Sequence, residues 1–81
     1  MSRKLRAEIA EWLLDRVAQG AHEERGSADS QEFNDEGETI NVTIVKYNNA
    51  IFDVYIGDNF SKSFSLMANE TKEQIIKKLI K

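Results

Sequence analysis

Between Thr39 and Ile56 the chain alternates apolar and polar residues twice, and the two runs are separated by Asn48-Asn49. Alternation of period two marks a strand with one buried face, and two such runs joined by turn residues mark a hairpin. Ile40, Val42 and Ile44 share one face of the first run, and Phe52, Val54 and Ile56 share one face of the second. A two-residue Asn48-Asn49 loop would set Asp53 among the apolar residues of the first strand. A three-residue loop, Tyr47-Asn48-Asn49, instead pairs Lys46 with Ala50, Ile44 with Phe52, Val42 with Val54 and Ile40 with Ile56. It asks a left-handed conformation of Asn49, which asparagine tolerates. A slip of one residue would turn the wrong face inward, so the second register is the expected one.

The flanking segments complete the expected fold. Leu5, Ile9, Trp12, Leu13 and Val17 recur at helical spacing, widened by Ala7, Ala10, Leu14 and Ala21, with Lys4, Glu8, Glu11, Asp15 and His22 opposite. This predicts a helix over about 3–22, capped by Ser2. Gly57-Asp58-Asn59 reads as a turn, followed by a third strand over 60–67 with Phe60, Phe64 and Leu66 on one face. Lys62 falls on that apolar face, as an inward lysine on a protected edge strand does. Asn69 reads as the cap of a last helix over 70–80, with Ile75, Ile76, Leu79 and Ile80 as its apolar stripe. Glu70 and Glu73 lie near its start and Lys77, Lys78 and Lys81 near its end, both favourable to the helix dipole. The stretch 26–38 reads as a loop, since Asp29, Glu32, Asp35, Glu36 and Glu38 face no Lys or Arg within it, and Phe33 is its one large apolar residue. The strands over 39–46, 50–56 and 60–67 thus give one α+β domain spanning 1–81. It is a helix, a three-stranded antiparallel meander and a helix (αβββα), with both helices on one sheet face.

That order resembles the double-stranded-RNA-binding domain, in topology alone. Such domains have a Lys-rich start to the final helix that grips phosphates. Here the position reads Asn69-Glu70-Thr71-Lys72-Glu73, which repels phosphate, so the function does not carry over.

Chemistry is bounded by composition. The chain has 81 residues, no Cys and one His, which leaves no disulfide, thiolate metal site or multi-histidine site. A net charge of −3 is a poor match to nucleic acid, whose binding needs clustered Lys and Arg. The basic start, Arg3-Lys4-Leu5-Arg6, and Lys72, Lys77, Lys78 and Lys81 keep a nucleic-acid-binding reading as an alternative. Glu8, Glu11 and Asp15 interrupt any signal-like apolar run, so a cytoplasmic, membrane-free protein is expected. Three Asn-X-Ser/Thr triplets, at Asn41, Asn59 and Asn69, then read as chance. The acids of 29–38 do not alternate as a calcium loop requires. The glycines are scattered, and no nucleophile stands beside a base. The expectation is therefore no enzyme and no cofactor.

Surfaces left over by the core point to partners. Val45, Tyr47, Ile51 and Tyr55, with Met67, fall on the open sheet face, and Trp12 and Leu14 on the flanks of the first helix. The bland alternative is ordinary exposed strand and helix chemistry. Asp29, Glu32, Asp35, Glu36 and Glu38 could steer toward a basic surface, or imitate phosphate in a nucleic-acid groove. The expected function is a non-enzymatic protein-interaction module, a regulator or inhibitor, acting on another protein or as a homodimer.

Overall fold

The computed structural model describes residues 1–57 and 61–80. The elements run α1 (Arg3–Gly20), β1 (Ala28–Asp35), β2 (Glu38–Lys46), β3 (Ile51–Ile56), β4 (Phe64–Met67) and α2 (Lys72–Leu79). The fold is α+β, and its sheet is an antiparallel meander in the order β1-β2-β3-β4. The sheet has four strands where three were expected. The extra strand also removes the topological likeness to the double-stranded-RNA-binding domain.

The added strand is the stretch expected to be an acidic loop. β1 pairs with β2 from Ala28↔Val45 through to Asp35↔Glu38. The turn between them is Glu36-Gly37, with φ of 50° and 80°. Two central residues at positive φ match the twist of a two-residue hairpin. Alternation along β1 turns Asp29, Gln31, Phe33 and Asp35 toward the helices, and of these only Phe33 is buried apolar. The carboxylates that face inward are answered by α1. Asp29 accepts from Arg16 at 3.0 Å, and Asp35 accepts from the Ser2 hydroxyl. Inward charges on an edge strand also discourage pairing with another chain.

The β2–β3 hairpin keeps the expected faces but not the expected pairs. Ile44 pairs with Val54, Val42 with Ile56 and Lys46 with Phe52, a shift of two residues. A shift of two preserves which side chains face inward. The turn is organised by Asn48, not Asn49. The Asn48 Oδ1 accepts from the backbone N–H of Ala50 and Ile51, both at 2.8 Å, and Tyr47 N–H donates to Ile51 O at 3.1 Å. The loop is therefore Asn48 to Ala50, and Asn49 has no left-handed conformation.

Ser2 caps α1 as expected, its Oγ accepting from Leu5 N–H at 3.1 Å. The cap of α2 is Thr71 rather than Asn69. Thr71 and Gln74 form a reciprocal capping box, which satisfies two orphan N–H groups at once. Glu70 stays outside the helix, accepting from Met67 N–H at 2.6 Å and from Lys78 at 2.7 Å. Asp58, Asn59, Phe60 and Lys81, named above in a turn, a strand and a helix end, lie outside the described residues. The third expected strand is observed as β4, from Phe64 on. Lys62 precedes it, exposed, with Nζ 3.5 Å from Asp53 Oδ1 on the open face, and so does not sit on the apolar face.

One core joins the layers. Leu5, Ile9, Leu13 and Val17 of α1 meet Val42, Ile44, Phe52, Val54 and Leu66 of the sheet and Ile75, Ile76 and Leu79 of α2. No described helix is long and apolar enough to cross a membrane.

Candidate functional site

Glu8, Glu11, Trp12 and Asp15 are spaced three and four apart, so α1 presents them along one flank. β1 lies beside that flank, and its Phe33 is held at 6% exposure by the core. The Trp12 and Phe33 rings meet edge to face, with centroids 5.7 Å apart and planes at 73°. That contact keeps Trp12 half-buried. Around it a groove of about 630 Å³ opens between helix and strand, lined by Glu8, Glu11, Asp15, Gln31, Glu32 and Asn34 as well as the two rings. Three carboxylates of α1 thus border one indole, while Glu32, next to Phe33 on β1, pairs with Asn41 and turns its side chain to the open sheet face.

Those carboxylates differ in how they are occupied. Asp15 accepts from Gln19 at 3.0 Å, and Glu11 stands 3.7 Å from Lys72 across an exposed gap. Exposed pairs of that kind are weak, typically below about 1 kcal/mol. Glu8 takes no ion pair among the described residues. No three metal-ligating groups converge among the described residues. The groove therefore offers negative potential and an aromatic surface, a combination suited to a cationic side chain.

The structure distributes the other expected site residues. Trp12 lines the groove, and Glu32 lies on the strand beside it with its side chain on the open sheet face. Leu14 packs half-buried against the core instead. Asp29 and Asp35 turn to Arg16 and Ser2, and Glu36 and Glu38 sit at the hairpin turn, away from the groove. On the open face Ile51 pairs with Met67 beside Tyr47, and Tyr47 and Met67 are 49% and 43% exposed. The next rows are polar or mixed. Val45 faces Asp53 and Ser65, and Tyr55 faces Thr43, whose hydroxyl lies 2.7 Å from that of Ser30. Asp53 therefore stands between Ile51 and Tyr55 along that face of β3.

Three of the basic residues of the nucleic-acid reading are engaged in ion pairs. Arg3 reaches Glu73 at 3.2 Å, Lys72 is the partner of Glu11, and Lys78 lies 2.6 Å from Glu70. Residue patterns alone did not single out Glu8, Glu11 and Asp15 as site residues, although their helical spacing beside Trp12 was the available signal. Compared with protein-family models, curated proteins and solved structures, the chain matches none.

Proposed function

We propose that the chain is a non-enzymatic protein-interaction module, a small regulator or inhibitor that binds a basic segment of another protein along the α1–β1 groove. The supporting observation is the line of Glu8, Glu11 and Asp15 along the border of Trp12 and Phe33. Aromatic anchors ringed by charge favour a partner that brings Arg or Lys, which the indole and the carboxylates can both attract.

Trp12 is the only tryptophan, so its fluorescence reports on the groove directly. Titration with an oligo-arginine peptide should give a saturable change. The affinity should fall about tenfold or more as salt rises from about 0.05 to 0.3 M, because the contacts are solvent-exposed. The triple variant Glu8→Gln, Glu11→Gln, Asp15→Asn should remove the response. An unchanged response in that variant, or none in the wild type, rejects the groove as the binding site.

The same carboxylates favour a second reading, a phosphate mimic that occupies the nucleic-acid groove of a basic partner. Its support is that Glu8, Glu11 and Asp15 are held at helical spacing on α1, where mimicry needs fixed charges. Release of a basic DNA-binding domain from duplex DNA by the wild type, and not by the triple variant, would favour it.

A further inference from the structure

A second cavity, of about 350 Å³, lies between the start of α1, the end of α2 and the adjoining strand ends. Ile40, Ile56 and Phe64 supply apolar wall, and Arg6, Lys78 and Glu38 supply the charges. The volume falls within the range of about 300–1,000 Å³ common to small-molecule sites.

The two cations are not equivalent. Lys78 is neutralised by Glu70 and also donates to Ser65 O at 2.9 Å. Arg6 has no carboxylate partner among the described residues. Its Nη1 donates to Met1 O at 2.6 Å, while its Nε is buried without an acceptor. The Nε is closed off from the cavity, but the guanidinium as a whole is a cation without a carboxylate partner beside an apolar wall, and a carboxylate is the group whose planar geometry fits it best. Glu38 is exposed, so water screens its repulsion.

We propose that this cavity binds a small organic anion, a monocarboxylate with a short aliphatic or aromatic body, with Arg6 as the charge partner and Ile40, Ile56 and Phe64 as the apolar seat. The site is separate from the acidic groove and opposite to it in charge preference, so it stands whether or not the groove binds a partner.

The test is methyl NMR of Ile40 and Ile56 during titration with sodium octanoate, octanol and octylamine. Octanoate should give saturable shifts, and octylamine should bind at least about tenfold more weakly, since one charge-assisted contact is worth about that factor. Arg6→Gln should weaken octanoate by a similar factor and leave octanol unchanged. Ile56→Trp, which fills the cavity but keeps Arg6, should abolish shifts at Ile40 from all three compounds. Absence of saturable shifts in the wild type overturns the proposal. Equal binding of octylamine and octanoate, or an unchanged octanoate affinity in Arg6→Gln, overturns the role of Arg6.

Discussion

Lys46 is the residue whose environment departs furthest from its type. It is 4% exposed at the end of β2, with Nζ donating to Gly20 O and, at 2.7 Å, to Glu23 O. These are carbonyls at the C-terminal end of α1 and the turn beyond it, which lack intrahelical partners and carry the negative end of the dipole. The backbone of Lys46 also pairs with the same turn, accepting from Gly26 N–H at 2.7 Å and donating to Ser27 O at 2.9 Å. Its site is tight, for Gly20 lies so close to Phe52 that a Cβ would come within 2.7 Å of the ring. Lys46→Met keeps the apolar stem and removes the cation. The expected loss is about 2 kcal/mol, the range for a charge-assisted bond whose partners are left buried. A lower urea midpoint with an unchanged slope would show it. A raised midpoint would mean that burial costs the ammonium more than its two carbonyls return. Alternation in the sequence sets Lys46 on the apolar face. Which carbonyls receive it depends on a chain reversal that no local pattern encodes.

At the scale of the element, β1 was the segment the sequence concealed. Its inward positions are Asp29, Gln31, Phe33 and Asp35, so the hydrophobic alternation that identifies β2 and β3 is missing. The strand exists because β2 offers a full ladder and because Arg16 and Ser2 answer its inward carboxylates. The turn was nearer to legible, since Gly37 marks it, but the residue before the glycine is unusual. Glu36 is the one described non-glycine at positive φ, a conformation that costs an ordinary L-residue about 1–2 kcal/mol. Glu36→Asn would create the Asn-Gly pair that such turns favour. It should stabilise the domain by about 0.5–1 kcal/mol, raising Tm in calorimetry by about 2–6 °C. A fall in Tm would show that Glu36 makes a compensating contribution. The β2–β3 hairpin gives the complementary lesson. Alternation chose the faces correctly, while the Asn48 side chain chose the pairs.

At the scale of the molecule, both helices and the sheet share one core, and no disulfide ties any part of it. A domain of this size has a stability of about 4–12 kcal/mol, too little to divide among independent parts. Thermal unfolding should therefore be a single transition. Trp12 fluorescence, which follows the α1–β1 contact, and far-UV circular dichroism, which follows the helices, should give coincident midpoints. An earlier fluorescence transition would show β1 detaching as a unit of its own.

The sequence by itself determined the helices, the β2–β3 hairpin, the inward faces of those strands and the positions of most core residues. Each is a local periodicity, and burial of an apolar face enforces it. Only the tertiary structure decided that the acidic stretch is a strand and that its Phe33 meets Trp12 beside Glu8, Glu11 and Asp15. The strand and the groove depend on contacts between residues far apart in the chain. The α2 start was locally encoded in Thr71 and Gln74, and was settled by which of two nearby caps satisfied more backbone N–H groups.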